Sequence, residues 1–188
     1  MIIAKARKKN NIAEYILYMW QIEDLIRAAN FDPEYINQTV ISKFDLPEKV
    51  LAEMRRWYKT LINNMLTDGI RVKGHLLSLV DLMDRLGNLH LELMENDEEI
   101  RYHELYHLAR NNISEFITKS GKTYNSEIEA CFSGLYAYML LRIQKKEISE
   151  DTREAMTTFS NLLAGLTARY HQRSGHRKHT ESDQPEST

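Results

Sequence analysis

Residues 11–29, NIAEYILYMWQIEDLIRAA, decide the fold. Ile12, Tyr15, Ile16, Met19, Ile22 and Ile26 recur at the spacing that places side chains on one face of an α-helix. Leu17 and Leu25 lie on other sides of the same wheel, so the stretch predicts a helix covered on more than one face, central to a helical core.

Outward from it, the punctuation is that of an all-α protein. Three prolines and seven glycines fall almost entirely between segments of 3.6-residue period, and no stretch sustains period-two alternation. Asp32 before Pro33 is an N-cap with proline at the first helical position, predicting a short helix to about Lys43. Asp45 and Glu48 stand at capping-box spacing ahead of a stripe of Val50, Leu51, Met54, Trp57, Tyr58, Leu61 and Met65. Asp68 and Gly69 close that helix. A leucine-rich helix is expected from about Val72 to Met94, then, separated from it by Asn96 and Asp97, one closed by Ser120 and Gly121. Ser126 and Glu129 open a helix through about Lys145, and Ser149 caps the last, with Met156, Phe159, Leu162, Leu163, Leu166 and Tyr170 on its apolar face. The expectation is a single helical bundle of about six to seven mostly antiparallel helices over residues 1–170, followed by a polar, disordered tail over 171–188.

At 188 residues the chain suits one domain with an ample core. Its formal charge of -2 and pI near 6.4 argue against a dedicated nucleic-acid binder. Lys5 to Lys9, Arg55 with Arg56 and Lys59, and Arg173 to Lys178 read as solvated termini and a helix face. Glu14, Glu23, Asp24 and Arg27 interrupt the apolar residues behind the basic N-terminus, so neither a signal peptide nor a membrane span is expected. The lone Cys131 sits on a buried stripe and suits inert packing in a reducing cytoplasm.

One string resembles a catalytic signature. His103, Glu104 and His107 spell H-E-x-x-H, in which two histidines four residues apart share a helix face and the Glu serves as general base beside a zinc-bound water. With Leu105 at the origin of the wheel, Leu108, Ala109, Asn112 and Phe116 cluster on the buried side, while His103 and His107 point nearly the opposite way. Arg110 and Ile113 stand where the longer zinc-protease pattern requires glycine and histidine, and Glu127 and Glu129 qualify as third ligands only by distance along the chain. Glu104 with His107 also forms one E-x-x-H element of a di-iron bundle, but no other histidine has a Glu three positions before it. A metal at His103 and His107 is therefore the weaker reading, and no cofactor is expected.

The inward candidates are quieter. His90 falls near the centre of the apolar face of the helix expected from Val72, His75 near its edge, and Gly87 beside them would admit a neighbouring helix. Glu23 and Arg142 border apolar stripes, and a buried charge needs a partner. Glu23, Arg27, His75, His90 and Arg142 are thus the candidate ligand-binding set, and the competing reading is structural ion pairs and core histidines.

Together, Met1 to Lys5, Tyr18 to Gln21, Glu23 to Arg27, Lys73-Gly74-His75, Leu89-His90-Leu91, Ser120-Gly121, Glu127 to Cys131, Leu140-Leu141-Arg142 and Lys145 to Ser149 resemble a family of uncharacterised helical proteins from Bacteroidetes, catalogued as domain of unknown function 4924. The resemblance covers the chain to about Tyr170 and implies an all-α, cytoplasmic bacterial protein. It supplies no activity, and the H-E-x-x-H residues are not among those that carry it. The expected function is a non-enzymatic binding or protein-interaction module, with a homo-oligomer or a protein as partner. A small-ligand or metal-binding bundle with an inner polar pocket is the first alternative, and a zinc-dependent hydrolase at His103, Glu104 and His107 the second.

Overall fold

A computed structural model describes the backbone over residues 2–181. Eight α-helices are present among the described residues, with no strand: α1 (Ile2–Asn10), α2 (Ile12–Ala28), α3 (Pro33–Thr39), α4 (Glu48–Thr67), α5 (Leu77–Glu95), α6 (Ile100–Ser120), α7 (Glu127–Ile143) and α8 (Glu150–Glu181), plus a 3-10 turn at Ile41–Lys43. The helix beyond the expected seven is α1. It ends where Asn11 turns extended and its side chain accepts the Ala13 and Glu14 amides, which starts α2 afresh.

The chain groups into two compact units, Met1–Asp81 and Leu82–Thr188. In the first, α2 buries Ile12, Ile16, Met19, Trp20, Ile22 and Ile26, and α4 buries Met54, Tyr58, Leu61, Ile62 and Met65. The Asp32 cap of α3 forms as its sequence predicts, accepting the Glu34 and Tyr35 amides. The Asp45 capping box does not form: Pro47 is the N-cap of α4 and makes no side-chain bond. The helix expected from Val72 begins five residues later, because Gly74 adopts φ +95°, outside the helical region. Residues 70–76 are consequently a loop, and His75 belongs to it rather than to a helix face.

In the second unit α8 packs on α6 and α7. Helix α8 runs through Glu181, and residues 182–188, part of the expected tail, lie outside the described residues. Two ion pairs flank Tyr170: Arg169 Nε donates to both carboxylate oxygens of Glu99 at 3.0 and 2.8 Å, and Arg173, one turn further on, pairs with Glu92.

Two glycines set close helix approaches here, and their substitutions should diverge. A Cβ on Gly134 of α7 would lie 2.8 Å from Cε2 of Phe159, a ring with no exposed surface. Alanine's helix-propensity advantage of about 1 kcal/mol is then outweighed by overpacking of about 1–3 kcal/mol. A Cβ on Gly165 of α8 would meet Leu105 Cδ1 at 2.7 Å, but that methyl is the free end of a half-buried side chain beside a groove of about 620 Å³ and can rotate away. Gly134→Ala should lower the urea midpoint while Gly165→Ala leaves it unchanged or raises it. Equal shifts in the two variants would contradict this account.

Candidate functional site

His90 lies on the apolar face of α5 and is 4% exposed, where helical phase places it. Three elements meet at its ring. Tyr102 of α6 brings its hydroxyl within 2.8 Å of Nδ1, and Glu127, the first residue of α7, places Oε2 3.6 Å from Nε2. The Tyr106 ring packs beside the imidazole, 5.2 Å between centroids. Burial pushes the Tyr102 hydroxyl far above the ordinary phenol range, so it stays protonated and donates to Nδ1. The imidazole proton then resides on Nε2 and faces the Glu127 carboxylate.

Glu127 titrates below the usual carboxylate range because the facing His90 N–H, opposed by burial and helped by the Tyr106 hydroxyl, favours the anion. Tyr106 is raised in turn, first by burial and then by donating to Glu127. Local backbone adds to this. Ser126 caps α7 by accepting the Glu129 amide at 3.1 Å, and the Glu129 side chain accepts the Asn125 amide at 2.6 Å, so Glu127 stands in the first turn where the helix dipole favours a negative charge. Gly87 makes the arrangement possible, since a Cβ there would sit 3.3 Å from Ser126 Oγ. The close approach anticipated at Gly87 is thus to the N-terminus of α7.

His90 and Glu127 open onto a cavity of about 570 Å³ whose walls include Asp84, Asn88, Leu91 and Asn125. Asp84 is exposed and Leu91 60% exposed, so the walls offer carboxylates, amides and one apolar flank. Cys131, one turn beyond Glu127, is fully buried, and burial pushes its thiol up, which suits packing and not nucleophilic chemistry.

The first unit gathers three of the other candidates. Glu23 is 1% exposed; Oε2 lies 2.6 Å from His75 Nδ1, and Oε1 accepts the Leu76 amide at 2.9 Å. The His75 ring stacks on Trp20, 4.2 Å between centroids at 11°. Arg27 donates to Asp24 at 2.9 Å, to the Ile70 carbonyl at 3.3 Å and to the Gly74 carbonyl, which pins the 70–76 loop. Arg142 does not turn inward: it is exposed, with its guanidinium 5.8 Å from the centre of the Tyr138 ring, because it sits in the last turn of α7 beside other exposed residues.

The H-E-x-x-H residues are divided in use. His103 Nε2 donates at 2.9 Å to the Leu93 carbonyl, which at the end of α5 otherwise accepts only the Asn96 amide at 3.4 Å, while Glu104 and His107 are exposed. Among the described residues no group of three His, Cys, Asp or Glu is placed to hold a metal ion. The helical wheel was also off by part of a turn: Leu108 is 67% exposed, and Tyr102, Ala109 and Ile113 form the buried face. That phase hid Tyr102 and Tyr106. Their four-residue spacing, which puts two hydroxyls on one helix face, was the available signal.

Comparison with known proteins agrees with the resemblance read from sequence. The model of a family described as Domain of unknown function (DUF4924) matches residues 1–176. No curated protein and no solved structure matches the chain.

Proposed function

The chain belongs to the DUF4924 family, whose description assigns no chemistry, and on that premise we propose that it is a non-enzymatic binding module for a small amine held at His90 and Glu127. The observation that carries this reading is the opening of a buried imidazole and an ionised carboxylate onto a cavity of about 570 Å³. Glu127 lies between His90 and the cavity it helps to line, so its carboxylate has acceptor capacity to offer a ligand there. Asp84 adds a second negative wall, and Leu91 offers an apolar surface for methylene groups. A primary ammonium on a short alkyl stem complements all three.

NMR titration of the full chain with n-butylammonium should perturb His90, Tyr106 and Leu91, with affinity on the order of millimolar for so few heavy atoms. Butyrate at the same concentration should leave them unmoved. Glu127→Gln keeps the volume and removes the charge, and should weaken binding by about tenfold or more. Equal binding of butyrate, or no perturbation by either compound, would remove this function. Among the described residues no helix is long and apolar enough to cross a membrane.

A further inference from the structure

In the first unit, on residues that line no part of the amine pocket, His75 is prepared for chemistry at one nitrogen. Its Nδ1 is held at 2.6 Å by Glu23, a carboxylate that is itself 1% exposed and fixed by the Leu76 amide. A buried carboxylate accepts the Nδ1 proton's hydrogen bond, so the neutral ring keeps its lone pair on Nε2. The ring cannot swing, because it lies flat on Trp20 at 4.2 Å and its loop is tied to Arg27 through the Ile70 and Gly74 carbonyls. Nε2 makes no hydrogen bond among the described residues and is not enclosed, and the side chain is 35% exposed. Arg71 and Lys73, both exposed, precede it by four and two residues, which places the Lys73 backbone within about 7 Å.

An oriented, anion-backed, solvent-facing Nε2 on a loop that also carries two exposed cations suits attack on a phosphoryl group better than metal binding, since no second and third ligand accompany it among the described residues. We propose that Nε2 of His75 is a phosphoryl-acceptor site, loaded by a donor that carries its phosphoryl group on nitrogen, such as the phosphohistidine of another protein. The Nε2 lone pair forms the new P–N bond while the donor's P–N bond breaks, and the departing nitrogen keeps that electron pair. The ring becomes a phosphoimidazolium that retains its Nδ1 proton. Its positive charge is balanced by the buried Glu23 carboxylate. Donor and product bonds are of one kind, so the transfer is reversible.

The full chain carries its own control in His107, an exposed histidine with no partner among the described residues. Treatment with phosphoramidate, followed by phosphosite mapping and ³¹P NMR, should load His75 at Nε2 about tenfold or more faster than His107. Glu23→Gln should abolish that preference, because its amide donates to Nδ1 and drives the ring proton onto Nε2. Equal rates at His75 and His107 in the unmodified chain would overturn the proposal whether or not the variant folds. So would an undiminished preference in folded Glu23→Gln protein.

Discussion

Glu23→Ala is expected to destabilise the first unit by about 3–5 kcal/mol. The side chain is 1% exposed and accepts two hydrogen bonds, from His75 at 2.6 Å and from the Leu76 amide at 2.9 Å. Alanine removes both and leaves a buried amide without its acceptor at the start of α5, where the carboxylate also sits favourably in the helix dipole. A void the size of the lost side chain adds to the loss. Glu23→Gln is the informative companion. Its amide oxygen still accepts the Leu76 amide and its nitrogen can donate to Nδ1 in the other tautomer, so the loss should be about 1–2 kcal/mol. Urea denaturation of both variants, read by Trp20 fluorescence, gives the order. If alanine and glutamine cost the same, or alanine costs less than about 1 kcal/mol, Glu23 is not the keystone of the 70–76 loop.

The second large effect is alkaline unfolding. Burial pushes Tyr58 up to about 12, with the neighbouring Tyr18 adding in the same sense, and it raises Tyr15, Tyr18, Tyr102 and Tyr106 in the same direction. A tyrosine in the unfolded chain gives up its proton near pH 10, whereas the folded one holds it to higher pH. The unfolded state therefore binds fewer protons above pH 10, and stability falls as pH rises. The contribution is fully present below about pH 10 and is lost on the way to the folded-state value. Between pH 10 and 12 Tyr58 alone should withdraw about 2 kcal/mol, and the other raised tyrosines add to it. Unfolding midpoints measured across that range should drop steeply, and Tyr58→Phe should flatten the slope. Phenolate absorbance that titrates fully near pH 10 with unchanged stability would contradict the burial of these hydroxyls. Glu127, held low, acts in the opposite sense at the acid end: its contribution is present above the ordinary carboxylate range and fades as pH falls through its lowered value.

Most of the all-α architecture was legible because it rests on local physics. Residues 11–29 carry their stripe in one helix, and Asp32-Pro33, Ser126 and Gly121 act on amides and carbonyls within four residues of themselves, so the cap at Asp32, the cap at Ser126 and the left-handed stop at Gly121 appear where the sequence puts them. Where a local rule met a competing local rule, the sequence reading slipped. Gly74, at φ +95°, delays α5 against a leucine pattern that continued back to Val72, and Pro47 displaces the Asp45 cap. The far end of α8 shows the other limit: its apolar stripe stops at Tyr170, and the helix on either side is tied by Arg169 to Glu99 and by Arg173 to Glu92, partners 70 and 81 residues away.

The candidate site divides along the same line. That His90 is buried followed from helical period alone, and so did the inertness of Cys131. That Glu23 chooses His75, and that His90 chooses Tyr102 and Glu127, depends on which helices the packing brings side by side, because a side-chain hydrogen bond reaches only about 3 Å. For the same reason His103 and His107, inseparable in sequence, have different lives: one turns to the end of α5 and donates to Leu93, and the other stays in solvent. Sequence by itself determined most of the helices and, α6 apart, which faces they bury, since both are set within a few residues. Only the tertiary structure decided the partners, since these come from 10 to more than 50 residues away and must arrive with the right atom in reach.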